Sequence, residues 1–198
     1  MNIILATTNV SKILQIKQLL DNESVSVRTQ IEAGIEGEAI EDGETLEENA
    51  RKKAYYAKER TNEDCWIISE DTGLFIPVLG GKPGIRSARW AGNNATTEEI
   101  MNYCLMQMHG MPDRSAYFET VAVVISPQGN ETVFKGRVNG VLLKEPRTKT
   151  QPKMPYSSLF VPDGSEKVWS EMSTEEENSI SHRGKAFRDV VQYLNAFL

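Results

Sequence analysis

Apolar and polar residues recur along the chain with two different periods, and these periods predict its secondary structure. The apolar stretch from Ile3 to Ala6 predicts a first strand over Asn2 to Ala6, which the polar turn "TTNVSK" follows. The next apolar positions recur every three or four residues, as in a helix with one buried face. These positions are Ile13, Leu14, Ile16, Leu19 and Leu20. The chain therefore opens with a strand, a turn and a helix.

The middle of the chain predicts a second strand and helix, separated by an acidic loop. A short strand at residues 25–28 precedes "EAGIEGEAIEDGE", which holds five Glu and one Asp within residues 32–44. Thr45 and Glu48 have the spacing of a capping box for a helix through "LEENARKKAYYAKER". The apolar run "CWIIS" then predicts a buried strand that ends at Glu70 and Asp71.

The second half of the chain predicts a helix, a hairpin and a closing helix. Thr96 and Glu99 form another capping box, for a helix that ends near Met108. The alternating segments "AYFETVAVVIS" and "ETVFKGRVNGVLL" on either side of "PQGN" predict a β-hairpin, and residues 145–158 predict an irregular loop. Ser181 can cap the last helix. Its apolar stripe consists of Phe187, Val190, Val191, Leu194 and Phe197.

Length and composition favour a single domain over residues 1–198. With 198 residues and 39% hydrophobic content the chain can bury a full core. Strands and helices in this order predict an α/β protein with a long, mixed central sheet flanked by helices.

A net charge of −6 argues against nucleic-acid binding, and no stretch approaches a signal peptide or a membrane span. Cys65 and Cys104 lack CxxC spacing, so we expect buried free thiols and a cytoplasmic location.

Several kinds of catalytic site are excluded by the residues that the chain lacks. His109 and His182 are its only histidines, which rules out a histidine-rich metal site. There is no G-x-S-x-G elbow of a serine hydrolase. A phosphate loop also fails, because "RGKA" has Ala186 where the hydroxyl belongs. Acidic residues, hydroxyls, glycines and scattered basic residues remain as candidates.

The turn after the first strand is a candidate phosphate site. "ATTNVSK" places hydroxyls and an amide beside a helix N-terminus, with Lys12 in the first turn, and such a terminus favours an anion. The alternative is that these polar residues only cap the helix. "ATTN" and "EDTG" both follow predicted strands, and ligands of α/β sheets gather at the carboxyl ends of strands.

The carboxylates of "EDTG" are a candidate magnesium site, although a solvated turn is the simpler interpretation. Carboxylates and phosphates repel each other unless a divalent cation lies between them. Asp71 together with a Glu of the acidic loop therefore implies Mg²⁺. Such a cation could bridge phosphate oxygens and orient or activate a water molecule.

Other signals allow two interpretations each. The glycines at positions 73, 80, 81 and 84 form a turn or allow close approach to a ligand, and Arg86 and Arg89 either reach a triphosphate or lie on the solvated surface. Lys53 belongs by default to a solvated charge run. His182 and Arg183 are either surface residues or a planar donor pair for carbonyl oxygens of a ligand.

Taken together, four ordered motifs resemble those of the inosine/xanthosine triphosphate pyrophosphatase family. They are "ATTNVSK", "LEENARKKA", "SEDTGLFIPVLGGKPGIRSARWAG" and "ENSISHRGKAF", and the resemblance covers nearly the whole chain. It implies an α/β fold with a long mixed sheet and two lobes around a substrate cleft, and a homodimer. It also implies Mg²⁺-dependent cleavage of a non-standard purine nucleoside triphosphate to its monophosphate and pyrophosphate.

The resemblance also implies roles for individual residues. Asp71 would be a metal ligand and the proton acceptor for the attacking water, with Glu41 as second metal ligand; Glu38 or Glu44 replaces Glu41 if the loop register is shifted. Glu70 would support the acidic cluster. The implied substrate contacts are Thr7, Thr8, Asn9, Val10, Ser11, Lys12, Lys53, Thr72, Arg89, Tyr156, Ser157, Glu177, His182 and Arg183. Within this set the turn, Lys53 and Arg89 would hold phosphates, and His182 with Arg183 would read the 6-keto group of the base.

The chain departs from the family pattern in two places, both among the expected base contacts. Where relatives carry G-F-G-Y-D-P, this chain reads "KMPYSS"; only Tyr156 matches, and Ser157 replaces an aspartate. Glu177 replaces a lysine. Two alternatives therefore stay open. The same reaction could favour a guanine or 2-amino purine nucleotide, or the chain could bind nucleotides without turnover.

Overall fold

A computed structural model describes all residues from 1 to 198 and contains seven strands and five α-helices. The strands are β1 (Asn2–Leu5), β2 (Ser26–Thr29), β3 (Trp66–Phe75), β4 (Pro83–Gly84), β5 (Ser115–Ile125), β6 (Glu131–Leu142) and β7 (Phe160–Pro162). The helices are α1 (Val10–Leu19), α2 (Leu46–Lys58), α3 (Thr97–Gln107), α4 (Thr174–Ile180) and α5 (His182–Asn195). Short 3₁₀ helices lie at Pro77–Leu79, Ser87–Arg89 and Trp169–Glu171. None of the helices is long and apolar enough to cross a membrane.

The seven strands form one mixed sheet. Its order is β2-β1-β3-β5-β6-β7, and β4 pairs with β3 outside this order. Strand β1 runs parallel to β2 and β3, whereas β4 is antiparallel to β3 and β7 is antiparallel to β6. Neighbouring strands β5 and β6 are joined by residues 126–130, a connection too short for a parallel crossover, so they form the predicted hairpin. The prediction of an α/β fold with a mixed sheet is confirmed.

The chain forms two compact units. The first contains Met1–Asp71, Thr120–Gly136 and Arg183–Leu198, and the second contains Thr72–Glu119 and Arg137–His182. The chain passes between the units inside β3, β5, β6 and the first turn of α5. The boundaries thus fall within continuous elements and not in linkers, and the prediction of a single domain over residues 1–198 stays a prediction.

The core of the first unit lies on both faces of its strands. Because side chains alternate along a strand, Ile3 and Leu5 of β1 pack with Phe187 of α5, whereas Ile4 packs with the alanines of α2. Side chains of β3 and β5 alternate in the same way: one set packs in the cluster of Phe187 and the other in the cluster of the α2 alanines. This double burial explains why "NIIL" and "WIIS" read as continuous apolar runs.

The core of the second unit is rich in aromatic rings. Phe118 of β5 packs edge-on against Phe160 of β7, with ring centroids 4.9 Å apart, and Phe160 stacks on Trp169 at 5.7 Å. Helix α3 contributes Ile100 and Cys104 to the same cluster.

Two sequence predictions in the middle of the chain are wrong. Strand β3 does not end at the carboxylates but continues to Phe75, because β4 pairs with its last residues. The proposed capping box of α2 is incomplete. Thr45 accepts a hydrogen bond from the backbone N–H of Glu48, but the Glu48 carboxylate accepts one from the backbone N–H of Glu44.

Other boundaries agree with the sequence more closely. The capping box of Thr96 and Glu99 is complete, and α3 ends before Met108. Helix α5 begins directly after Ser181 and ends at Asn195, so Phe197 lies beyond it. Helix α4 was not predicted, because "TEEENSI" has no apolar stripe; it carries a capping box of Ser173 and Glu176 that could have indicated it.

Candidate active site

The polar turn between β1 and α1 caps the helix. Asn9 is the N-cap residue, and its side-chain oxygen accepts hydrogen bonds from the backbone N–H groups of Ser11 (3.1 Å) and Lys12 (3.3 Å). Thr7 accepts one from the backbone N–H of Asn9, at 3.3 Å. The capping interpretation is therefore right for Asn9, while the side chain of Lys12 extends elsewhere.

Two other residues of this turn lie nearer to solvent. The Thr8 hydroxyl donates a hydrogen bond to the carboxylate of Glu38 in the acidic loop, and Val10, the first residue of α1, is exposed. A concavity of about 430 Å³ opens beside the turn. It is lined by Thr8, Ile31, Gly34, Ile35, Glu36, Gly37 and Glu38.

The carboxylates of β3 lie at the same edge of the sheet as this turn. Strands β1 and β3 are parallel neighbours, with Leu5 opposite Ile68, so Glu70 and Asp71 follow at the level where β1 has ended. The strands before "ATTN" and around "EDTG" are therefore neighbours, although "EDTG" lies within β3 and does not follow it.

Glu70 is buried within a network of positive charges. Its carboxylate lies 2.7 Å from the Lys12 ammonium and 3.5 Å from the Arg183 guanidinium, and its side chain has no solvent exposure. Burial by itself raises the pKa of Glu70, but Lys12, Arg183 and Lys53 together hold that pKa well below its usual range. Glu70 therefore stays ionised and orients the two basic side chains.

Arg183 is held by a residue that the sequence analysis missed. The Arg183 guanidinium donates a hydrogen bond to the side-chain oxygen of Gln15 on α1, and both residues are buried. Gln15 lies one turn before Leu19 on the apolar face of α1. A polar residue on an apolar helix face was the signal in the sequence that could have indicated this buried contact. Because Arg183 is only 2% exposed, the surface interpretation of this residue is wrong.

Asp71 occupies a second charged cluster in the same unit. One of its carboxylate oxygens lies 3.0 Å from the Lys53 ammonium, and the other is buried without a hydrogen-bond partner. Burial raises the pKa of Asp71 above its ordinary value; Lys53 and Lys12 oppose this shift, and Glu41 adds to it.

The acidic loop brings Glu41, and not its neighbours, to this cluster. The Lys53 ammonium lies 3.4 Å from the Glu41 carboxylate, so Lys53 is not part of a solvated charge run. Of the alternatives, Glu38 is exposed and accepts a hydrogen bond from Thr8, while Glu44 is exposed.

The remaining predicted substrate contacts belong to the second unit. His182 is buried and its ring stacks on Phe118, with centroids 4.9 Å apart and an interplanar angle of 18°, so the surface interpretation is wrong for it too. Glu177, in α4, is only 3% exposed. Thr72 follows Asp71 in β3, and Arg89 is half-buried at the end of a 3₁₀ helix.

The loop that departs from the family pattern is held by hydrogen bonds of two buried hydroxyl groups. Tyr156 is buried and donates its hydroxyl hydrogen to the backbone carbonyl of Ser87, at 2.8 Å. Ser157 is buried as well, and its hydroxyl accepts a hydrogen bond from the backbone N–H of Gln151, at 2.8 Å. Ser157 thus stabilises the loop itself, whereas Tyr156 attaches the loop to the 3₁₀ helix Ser87–Arg89. The glycine segment "LGGKPG" forms a turn, in which Gly80 adopts a left-handed conformation.

Sequence reasoning also missed the aromatic surroundings of His182. The indole ring of Trp169 lies 6.3 Å from the His182 ring, and its N–H is buried without a hydrogen-bond partner. Nothing in the local pattern around Trp169 or Phe118 indicates this contact, because the residues are far apart in the chain.

Fold and site together define a class: an α/β protein whose sheet carries buried carboxylates beside a helix N-terminus. The chain belongs to the Ham1 family, whose model matches residues 3–193. It is 39% identical over 196 residues to a dITP/XTP pyrophosphatase of Caldanaerobacter subterraneus subsp. tengcongensis, covering 98% of this chain and 96% of that protein. It is 35% identical to a dITP/XTP pyrophosphatase of Christiangramia forsetii, covering 98% and 100%. The family resemblance seen in the sequence is confirmed.

Solved structures agree with this assignment. The Ham1 protein of Staphylococcus aureus matches with a TM-score of 0.86 and 29% identity over 100% of both chains. A HAM1 protein of Coxiella burnetii matches with a TM-score of 0.86 and 30% identity over 99% of both chains. The Ham1 fold is therefore shared along the full length of the chain.

Proposed function

We propose that this protein is a Mg²⁺-dependent pyrophosphatase of non-standard purine nucleoside triphosphates. It would hydrolyse ITP, dITP and XTP to the monophosphate and pyrophosphate; two of its relatives are named dITP/XTP pyrophosphatases. The observation that carries the proposal is the state of Asp71, a buried carboxylate with one oxygen paired to Lys53 and the other without a partner.

Asp71 suits the role of proton acceptor. Burial raises the pKa of its carboxyl group, which makes it a better base than an exposed aspartate. The oxygen without a partner can take a hydrogen bond from the attacking water. Without the metal ion, Lys53 restrains the other oxygen, so the carboxylate keeps one orientation.

The residues present also fit a magnesium ion. Mg²⁺ in phosphate-processing enzymes is held by one or two carboxylates together with substrate phosphates and water. Asp71 and Glu41 supply such a pair, since both carboxylates meet at the Lys53 ammonium. When bound, the ion would offset phosphate charge and orient the water.

The turn before α1 suits the triphosphate. Asn9 already bonds the backbone N–H groups of Ser11 and Lys12, so phosphate oxygens would be held by the hydroxyls of the turn, by the helix dipole and by the Lys12 ammonium. Lys53 and Arg89 stay predicted phosphate contacts.

The base contacts remain predictions within this proposal. His182 and Arg183 are both buried and both donors, and a donor pair favours a 6-keto base over the 6-amino group of adenine. The second candidate is the same reaction with a guanine or 2-amino purine nucleotide. The buried carboxylate of Glu177 favours it, because an acceptor in that position would bond an exocyclic amine.

The deciding experiment is a pyrophosphate-release assay on a panel of nucleoside triphosphates, with and without MgCl₂. We expect hydrolysis of ITP, dITP and XTP that needs Mg²⁺ and that falls roughly 100- to 10,000-fold in Asp71→Asn. Asp42→Asn is the matched control, because Asp42 is an exposed carboxylate of the acidic loop that pairs with Lys52. Full activity of Asp71→Asn would overturn the assignment.

The same panel separates the alternatives. A preference for guanine or 2-amino purine nucleotides that moves toward ITP in Glu177→Lys supports the second candidate. Nucleotide binding in calorimetry without any pyrophosphate would instead indicate a non-catalytic relative.

We also propose a cytoplasmic homodimer, as the family resemblance implies, and light scattering coupled to gel filtration would measure its mass.

A further inference from the structure

The Lys53 ammonium lies between the two carboxylates that we assign to the metal. Its nitrogen is 3.0 Å from a carboxylate oxygen of Asp71 and 3.4 Å from one of Glu41. The side chain of Lys53 is 13% exposed and that of Asp71 is 8% exposed, so water screens this contact poorly. The single positive charge of Lys53 is thus shared by the carboxylates of Asp71 and Glu41.

The fold enforces this arrangement through Asn49, one helical turn before Lys53 on α2. The side-chain oxygen of Asn49 accepts a hydrogen bond from the backbone N–H of Gly43, at 2.9 Å, and Asn49 is fully buried. A Cβ atom at Gly43 would stand 2.7 Å from that oxygen, so only glycine allows the loop to approach α2 this closely. Glu41, two residues before Gly43, is thereby carried toward Lys53.

The neighbouring lysine shows that this placement is specific. Lys52 points to solvent and pairs with Asp42, whose side chain is 71% exposed. Two adjacent lysines of one helix therefore meet two acidic residues of one loop, but only Lys53 also pairs with a carboxylate that is shielded from water, that of Asp71. Separating a buried carboxylate from its counter-charge is strongly unfavourable, whereas an exposed ion pair contributes little.

We infer that Lys53 is a built-in counter-cation that holds Asp71 and Glu41 in place without a divalent ion and competes with that ion for the same carboxylates. The inference rests on the proposed function in taking the ion to be Mg²⁺. When the ion binds, the ammonium gives up at least part of its contact with the carboxylates and becomes available to an anion. Lys53 is then a positioning residue in the metal-free protein.

The test compares Lys53→Met with Lys52→Met and the unchanged protein, all without nucleotide. Calorimetric titration with MgCl₂ measures the affinity for the ion, and thermal unfolding in EDTA and in MgCl₂ measures its effect on Tm. We expect Lys53→Met to bind Mg²⁺ roughly tenfold more tightly, because a competing positive charge is removed. Its Tm should fall in EDTA and recover in MgCl₂ by more than that of the unchanged protein.

Lys52→Met should behave like the unchanged protein in both measurements. If Lys53→Met does not fold in EDTA, Lys53→Arg provides the second comparison; it keeps the charge and should keep the weaker affinity for Mg²⁺. An affinity of Lys53→Met equal to or lower than that of the unchanged protein overturns the inference, and so does the absence of Mg²⁺ binding in all variants.

A failure of this inference can be distinguished from a failure of the proposed function. Pyrophosphate release by the unchanged protein together with an unaltered Mg²⁺ affinity of Lys53→Met would leave the function in place and remove the role of Lys53. Tighter Mg²⁺ binding by Lys53→Met without any hydrolysis by the unchanged protein would support the role of Lys53 and remove the proposed function.

Discussion

Glu70 and Asp71 are neighbours in β3, yet their surroundings shift their pKa values in opposite directions. Successive side chains of a strand point to opposite faces, so Glu70 meets Lys12 and Arg183 while Asp71 meets Lys53. Both carboxylates are buried, but the pKa of Glu70 is lowered and that of Asp71 is raised. One dipeptide thus supplies a permanently charged support and the carboxylate that we propose as the base.

Glu70→Gln should destabilise the protein by roughly 3–5 kcal/mol, because it leaves the charges of Lys12 and Arg183 buried without their counter-charge. Urea unfolding followed by circular dichroism measures the loss. Glu63→Gln is the control, since Glu63 pairs with Arg28 at the surface and should change the free energy of unfolding by less than about 0.5 kcal/mol. Equal effects of both variants would show that the buried network does not stabilise the fold.

The two cysteines should resist alkylation in the folded protein. Burial raises the pKa of Cys104 to about 12, and burial followed by the charge of Glu63 raises that of Cys65. A pKa above the ordinary value means that the reactive thiolate is scarce at pH 8.5 and would increase only at higher pH. Mass spectrometry after iodoacetamide should show two modified cysteines in urea and none without it. Rapid labelling of the native protein would contradict this burial.

At the scale of elements, the first four α-helices each begin at a residue that caps them. Asn9 caps α1, Thr45 caps α2, Thr96 caps α3 and Ser173 caps α4, each with a side-chain oxygen that accepts a backbone hydrogen bond. The polar turn before α1 therefore has a structural function beside its proposed role with phosphates.

Thr96→Ala should lower the free energy of unfolding by about 1 kcal/mol, because α3 loses its N-cap oxygen. The matched control is Thr97→Ala, one residue further, where no cap is lost. Chemical denaturation of both variants measures the difference. A loss of the same size in Thr97→Ala would mean that the cap is not the cause.

The pairing of β6 with β7 depends on Gly140. A Cβ at this position would press on the carbonyl oxygen of Val161 and stand 2.7 Å from the Phe160 ring. Gly140→Ala should therefore cost roughly 1–3 kcal/mol through overpacking. Gly110→Asn is the control, because space is open there and Asn tolerates its positive φ of 73°. Comparison of the two Tm values tests this, and an unchanged Tm of Gly140→Ala would exclude overpacking.

At the scale of the whole molecule, the chain runs between the two units inside continuous strands and one helix. Strands that lie partly in each unit cannot unfold in one without losing pairing in the other. We therefore expect one cooperative unfolding transition, as in small single domains.

The three tryptophans allow this to be measured, because Trp66 belongs to the first unit and Trp90 and Trp169 to the second. A variant that keeps only Trp66 and another that keeps only Trp169 should each show a fluorescence midpoint in urea that coincides with the midpoint from circular dichroism. Separate midpoints for the two probes would instead indicate two independently unfolding domains.

Much of the fold could be predicted from local patterns. The strand-turn-helix opening, the capped helix α3, the β5–β6 hairpin and the mixed sheet follow from periodicity and turn residues, which act over short stretches of chain. Helix α4 and the continuation of β3 escaped prediction, because α4 has no apolar stripe and β3 is extended by pairing with β4. Pairing partners are set by the tertiary fold and not by the segment itself.

For the candidate site too, the sequence indicated the residue types, whereas their burial and ion partners became known only from the structure. By itself, the sequence indicated the residues that we propose for the chemistry: the polar turn before Lys12, the carboxylates of Glu70 and Asp71, and the acidic loop, since charge, hydroxyl content and helix-start signals are local properties. Only the tertiary structure decided that Lys53 is shielded between Asp71 and Glu41 while Lys52 is solvated. Burial and the choice of ion partner depend on elements distant in the chain, which no local pattern encodes.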